Sequence, residues 1–244
     1  MDRDNPAARL YEVFSYLKAA PGNGSIQDAL NGALGLPADR SPVEFYRQIS
    51  VMMTWPDSAK AQIESLPNQS HDLLLRWYDP ITTSMQYVGK VHDAVSGMTA
   101  HVSDRALGHL EHAADTLSRA SPEPMIADDK LPDLINHVRT LIDKVTSNED
   151  LPPNARHLLI TRLRGVEQAL LHFRITGYDG VEEAMDCLIG GYIRHPETRT
   201  PERDNWFSGL WAKITLTLIG VKEISDTGSS IFKAIEDGRN TLGR

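Results

Sequence analysis

The sequence contains a single cysteine, Cys187, and no excess of positive charge. One cysteine excludes an internal disulfide and a zinc site built from several thiolates. Because it lies in the apolar run Met185–Ile189, we expect a buried and unreactive thiol. With a formal net charge of −8, the chain lacks the cationic surface that nucleic-acid binding requires. Nucleic acid is therefore not an expected partner.

Long hydrophobic runs and catalytic signatures are also missing. No run approaches the roughly 20 apolar residues that a membrane-spanning helix requires. The N-terminus, Met1–Pro6, lacks the basic and then apolar pattern of a secretory signal, so a cytoplasmic location is predicted. The sequence has no phosphate-binding or dinucleotide-binding glycine loop, no zinc-protease histidine pair and no hydrolase serine elbow. These absences predict a protein without enzymatic activity and without a cofactor.

Between Pro80 and Ala120 the chain contains no further proline, and the rest of the predicted fold is arranged around this stretch. Asp79-Pro80 is typical of a helix start, and Ser121-Pro122 is typical of a helix end. Apolar residues recur between them at steps of three and four, which predicts one helix about 60 Å long at 1.5 Å per residue. Kinks in this helix are expected at Gly89, Gly97 and Gly108.

Shorter helices are predicted on both sides of this stretch, because apolar residues at helical spacing alternate with proline-bearing turns. Asn5, Ser25 and Ser41 are expected to cap the N-termini of three of them. The residues that the helix after Ser41 should bury are Phe45, Ile49, Met52 and Met53.

These patterns predict an all-α, multi-helix bundle organised around one long central helix at about residues 80–120. The polar segment 127–130 is the best linker candidate. It separates an N-terminal helical cluster with the long helix, residues 1–121, from a C-terminal helical bundle, residues 128–244. The alternative is that both regions pack as a single domain.

Histidines and carboxylates are the residues most suggestive of chemistry. The cluster in the long stretch consists of His101, Asp104, His109, Glu111, His112 and Asp115. Helical bundles hold metals with such residues, but the Glu-x-x-His step of di-iron sites is absent and no second ligand helix can be named. A solvated helix face without metal is therefore expected. His71-Asp72 and His92-Asp93 are adjacent pairs of the kind that some all-helical metal-dependent hydrolases use, which is a third functional hypothesis.

Aromatic and aliphatic residues crowd the segment Trp206–Val221. Ile214–Leu218 alternates like a strand, but no other segment offers it a sheet partner, so a helix is predicted. Such a segment either fills the core, anchors a protein partner or inserts shallowly into a membrane. The candidate interaction surface consists of Trp206, Phe207, Leu210, Trp211, Ile214 and Leu218.

The leading functional hypothesis is a non-enzymatic helical protein that acts through contact with another protein, as an adaptor, regulator or inhibitory partner. The alternative is a membrane-docking or membrane-perturbing effector that uses Trp206–Val221. Membrane contact is not favoured, because Lys213 and Lys222 are the only cations close to that segment. Self-association is left open.

Overall fold

The computed structural model describes residues 5–37, 39–120, 123–127, 129–195, 198 and 201–219. Their fold is all-α apart from one two-residue strand pair, which confirms the predicted fold class. Contacts between Cα atoms divide the chain into two compact units, unit 1 (Met1–Glu123) and unit 2 (Pro124–Arg244). Whether these units are independently folding domains stays a prediction. None of the described helices is long and apolar enough to cross a membrane.

Unit 1 contains several short helices and two longer ones. Its elements are α1 (Pro6–Ala19), α2 (Ile26–Leu34), α3 (Pro42–Met52), α4 (Trp55–Glu64), α5 (His71–Leu74), α6 (Tyr78–Met85), a 3-10 helix (Gln86–Gly89), α7 (Val95–Thr99) and α8 (Asp104–Ala120). Asn5, Ser25 and Ser41 cap α1, α2 and α3 through their side-chain oxygens, as predicted. The fully buried centre of the unit includes Phe14, Trp77 and Leu110.

The loops 21–25 and 90–94, called the paired loops below, cap each other's helices. The first amides of a helix have no partner inside it. Here the first two amides of α2 donate to the second loop, and the first two amides of α7 donate to the first loop. The N···O distances are Ile26 to Asp93 2.9 Å, Gln27 to Val91 2.8 Å, Val95 to Gly24 2.9 Å and Ser96 to Gly22 3.1 Å. Each loop therefore satisfies the helix N-terminus that follows the other.

The predicted long central helix does not exist as one element. The stretch holds α6, the 3-10 helix, α7 and α8, and α6 starts at Tyr78 rather than at Pro80. The helical geometry ends at Lys90 (φ −100°, ψ 54°), and Ala94 is extended (φ −66°, ψ 136°). This extended backbone gains its bonds from the paired loops, so it is preferred to a continuous helix. The apolar stripe that suggested one helix is still buried, for example at Ile81 and Val95.

Unit 2 is built from longer helices. Its elements are β1 (Met125–Ile126), α9 (Leu131–Thr146), α10 (Pro153–Leu171), α11 (Phe173–Arg194), α12 (Pro201–Thr217) and β2 (Leu218–Ile219). α10 packs against both α9 and α11, and aliphatic side chains such as Leu134, Leu159 and Leu188 fill the seams. Gly177 interrupts α11 with φ 63° and ψ −164°, a conformation that a residue with a Cβ rarely adopts.

Two predictions about unit 2 are wrong. Leu218 does not continue the preceding helix, because β2 pairs antiparallel with β1, in the register Ile126 to Leu218. Cys187 is exposed rather than buried. It points away from Met185 and Leu188, which are buried, since each helical residue is rotated by about 100° from the one before.

Candidate interaction surfaces

The segment predicted as an interaction surface lies mainly in the core of unit 2. Phe207, Leu210 and Ile214 are 3%, 0% and 1% exposed on α12, which packs against α9. The Phe207 ring meets the Tyr192 ring edge to face, with 4.7 Å between the centroids. Of the three alternatives that the sequence left open for this segment, burial in the core therefore holds for these three residues. Their spacing of three and four residues places them on one helix face, and that face is covered by protein.

Trp206, Trp211 and Leu218 are the other residues of that predicted surface. Trp206 is half-buried, and the Lys144 Nζ lies 5.5 Å from the centroid of its ring, within the range of a cation–π contact. The side chains of Trp211 and Leu218, and all of Val221, lie outside the described residues. For these positions the interaction surface stays a prediction.

A different apolar surface is exposed on α3 of unit 1. Val43, Tyr46 and Met53 are 69%, 52% and 50% exposed. Phe45, Ile49 and Met52 occupy the inward face of the same helix, so the residues between them point outward. Met53 was predicted to be buried, and this is wrong because it follows α3 as its C-terminal cap residue. The spacing of 43, 46, 50 and 53 was visible in the sequence as a second stripe.

Neighbouring residues orient this α3 face, which we define as Val43, Tyr46, Ser50 and Met53. The Tyr46 ring rests edge to face on Phe45, with 5.2 Å between the centroids. The hydroxyl of Ser50 donates to the carbonyl oxygen of Tyr46 at 2.8 Å. Covering the face would therefore leave no serine donor unpaired.

The predicted histidine cluster does not converge on a metal centre. His101 precedes α8 and lies against the Tyr87 ring, with 5.0 Å between the centroids. The pairs His71-Asp72 and His92-Asp93 fall on α5 and on a turn of the second paired loop. Among the described residues no group of three or more histidine, cysteine, aspartate or glutamate side chains is placed to hold a metal ion. The metal-dependent hydrolase hypothesis has no site in this part of the chain.

His109 and His112 lie on α8, where they are half-buried and exposed. Burial lowers the pKa of His109, and the positive charges of Arg105, Arg76 and His112 lower it further. Its neutral imidazole therefore stands in a cationic neighbourhood within an acidic protein.

Carboxylates line an open groove along α11 of unit 2, at Asp179, Glu182, Glu183 and Asp186. Burial raises the pKa of Glu182, and the like charges of Asp186 and Asp179 raise it further. Burial, together with these carboxylates, raises the pKa of Tyr178 to about 12. Cys187 shares the groove. Arg194 lines the same groove, so the groove carries both signs of charge.

The chain matches no protein-family model, and no curated protein and no solved structure is measurably similar to it.

Proposed function

We propose that the protein acts through protein–protein contact and that its α3 face holds an amphipathic helix of a partner. The observation that carries this proposal is the outward direction of Val43, Tyr46 and Met53, three large apolar side chains on one helix face. Monomeric surfaces expose single apolar residues routinely, but a contiguous apolar patch is typical of an interaction site.

The spacing of the α3 face favours a helical partner. Residues 43, 46, 50 and 53 follow steps of three, four and three, which is the seam that one helix presents to another. Ser50 is a small residue in the middle of that seam, where a large side chain of the partner can enter. Because its hydroxyl is already bonded to the Tyr46 carbonyl, burying Ser50 leaves no serine donor unpaired, and the Tyr46 hydroxyl would need one hydrogen-bond partner on the incoming helix.

The charge at the border of the α3 face indicates which charge a partner helix would carry on its flank. Arg47 is exposed beside the seam, so a carboxylate on the flank of the incoming helix would be complementary to it. Fully burying a side chain of this apolar class contributes about 1.5–3 kcal/mol. Tyr46 and Met53 are already half-covered, so the face supports a reversible complex rather than a permanent assembly.

The test compares two double variants of the full chain. Tyr46→Ser with Met53→Ser removes the α3 face. Leu171→Ser with Ile193→Ser is the matched control, because these residues are 46% and 44% exposed in unit 2. Proteins captured by each form from an extract of the source cells are quantified by mass spectrometry, and candidates are purified and titrated calorimetrically.

The expected result is a purified partner whose affinity falls at least about tenfold, or about 1.4 kcal/mol, in the α3 variant and is unchanged in the control. Cross-linking should place a helix of that partner on Tyr46. Equal capture by all forms would refute the proposal. If the α3 variant instead abolishes dimerisation in light scattering, or binding to phosphatidylserine vesicles, the occupant is a second copy or a membrane.

A further inference from the structure

A row of arginine and histidine side chains follows one edge of α8. It consists of Arg105, His109, His112 and Arg119, joined by Arg76 from the segment after α5, and is called the cationic row below. The steps from 105 to 109, 112 and 119 are four, three and seven residues, which is one face of a helix. From end to end the four positions on α8 extend about 21 Å at 1.5 Å per residue.

The other faces of α8 explain why this row stands apart. Ala106, Leu110 and Leu117 point into the core of unit 1. On the opposite flank, beyond the row, lie the carboxylates of Asp104, Glu111 and Asp115, about 100° around the helix. The row is therefore a narrow cationic strip between an apolar and an acidic one.

Within the described residues, the side chains of Arg76, Arg105 and His112 form no hydrogen bond or ion pair. The carboxylate of Asp104 is taken by Lys18 rather than by Arg105. Nor does His109 Nε2 bond to any group in the described part of the chain. Arg119 differs, because its Nε donates to the carbonyl oxygen of Asp115 at 3.1 Å. The exposed guanidinium groups of Arg76 and Arg105 can therefore pair with carboxylates of a ligand.

We propose that the cationic row binds an acidic segment of a partner protein, which rests on the proposed function in that the ligand is a protein. Carboxylates in a line would pair with Arg76 and Arg105 and, when it is protonated, with His112, and their charge would favour the protonated form of His109. The carboxylates beside the row favour a narrow ligand over a wide one. A bilayer or a nucleic-acid duplex is wide enough to meet Asp104, Glu111 and Asp115 as well, whereas a single peptide segment fits the row alone.

Binding becomes pH-dependent through the histidines. The charged groups facing His109 are Arg105 and His112 on α8 and Arg76 from the segment beside it, and all of them oppose its protonation. An acidic segment bound on the row would reverse that balance and favour the imidazolium. By linkage, protonation then tightens binding of the segment, and binding raises the pKa of His109.

The test uses the full chain and a fluorescein-labelled, glutamate-rich peptide. The peptide has about 15 residues, so that as a helix it would be about as long as the row. Anisotropy titrations are expected to show binding about fivefold tighter at about pH 5.5 than at about pH 7.5, across the usual titration range of histidine. Arg105→Gln should weaken binding about threefold, and the double variant with Arg76→Gln about tenfold.

Arg164→Gln is the matched control, since Arg164 is exposed on α10 and the change in net charge is the same. It should leave peptide affinity unchanged. In His112→Gln, an exposed position, the pH dependence should shrink without loss of thermal stability. NMR titration of His109 in the wild-type chain should show its pKa rising when the peptide is added.

Three results would overturn the proposal: equal weakening by Arg164→Gln, affinity independent of pH, or equally tight binding of phosphatidylserine vesicles or duplex DNA through the same arginines. The Tyr46→Ser, Met53→Ser variant should bind the peptide normally. If that variant binds the peptide but the α3 experiment finds no partner, then peptide binding on the cationic row is supported and only the docking of a partner helix on the α3 face is refuted.

Discussion

Unit 1 and unit 2 reach an all-α fold by different means. The helices of unit 1 include α5 with 4 residues and α7 with 5, whereas α9 and α10 of unit 2 have 16 and 19. Helices of four or five residues are unstable alone, because the free-energy cost of nucleating a helix exceeds what so few hydrogen bonds contribute. Unit 1 therefore depends on directional bonds between distant segments, and unit 2 depends on packing spread along its seams.

Buried polar contacts reflect this difference. In unit 1 the Asn5 side chain donates to the Ala114 carbonyl at 3.1 Å, and the Ser84 hydroxyl donates to the Met98 carbonyl at 2.7 Å. Arg9 and Glu123, with side chains 8% and 12% exposed, form an ion pair of 3.4 Å. Glu123 also accepts from Gln62 at 2.9 Å. The last residue of unit 1 is thereby tied to its first helices.

The largest expected effects come from core truncations, one in each unit. Trp77→Ala and Phe207→Ala remove side chains that are 0% and 3% exposed, so each should destabilise its unit by about 3–5 kcal/mol. Calorimetry should show two transitions, with each variant lowering only its own. A single transition that moves in both variants would show that the chain unfolds as one domain, contrary to the predicted division.

A smaller loss is expected from breaking the partly buried ion pair of Arg9 and Glu123. Glu123→Ala removes its carboxylate and should cost about 2 kcal/mol, between the usual values for exposed and buried pairs. The matched change in unit 2 is Glu167→Ala, which breaks the Arg139–Glu167 pair of 2.6 Å, where the arginine side chain is 55% exposed. That loss should be at most about 1 kcal/mol. Chemical denaturation measures both, and equal losses would remove the contrast between the units.

Removal of a single backbone N–H that bonds to the paired loops should lower the stability of unit 1. Ser96→Pro removes the N–H that donates to Gly22, at an exposed position in the first turn of α7. Asn154→Pro makes the same change in the first turn of α10, where the residue is also exposed. Both place proline after a helical residue, so Ser96→Pro should be more destabilising by about 1 kcal/mol, the worth of the lost bond. Equal free energies of unfolding would contradict the reciprocal capping.

The smallest expected effect concerns pH. Burial lowers the pKa of His137 in α9, and the charges of Lys213 and Lys144 lower it further. The unfolded chain therefore binds the proton more readily, so stability should fall as pH drops below the usual value of about 6.5. His137→Gln should flatten this dependence in denaturation curves. His157→Gln, exposed on α10, should leave it unchanged.

Local chemistry in the sequence was sufficient for the fold class and for several helix starts. Asn5, Ser25 and Ser41 cap helices because their side chains reach amides three residues ahead, a contact that needs no knowledge of the tertiary fold. The division of residues 80–120 could not be predicted in the same way. Its cause lies at residues 21–25, which are distant in sequence, and periodicity records burial without showing where the backbone turns.

The interaction surfaces show the same limit. A crowded aromatic segment such as Trp206–Ile214 predicts burial or binding equally well, and only the position of α9 shows that Phe207 and Leu210 are core. The α3 face was present as a second stripe, but Phe45 and Ile49 gave that helix an adequate reason to be amphipathic. The partner of β2 could not be found, because Met125 and Ile126 alone are too short a strand signal.

Reciprocal capping also constrains how unit 1 is made. The donors on α2 and their acceptors near Asp93 are separated by about 65 residues, so these contacts, like the packing of α1 on α8, raise the contact order of unit 1. A ribosome adding roughly 5–20 residues per second needs several seconds to supply the second loop after the first has appeared. During that interval the nascent α2 has no acceptors for its leading amides. The folding of unit 1 is therefore completed only after α7, and α8 behind it, have left the exit tunnel.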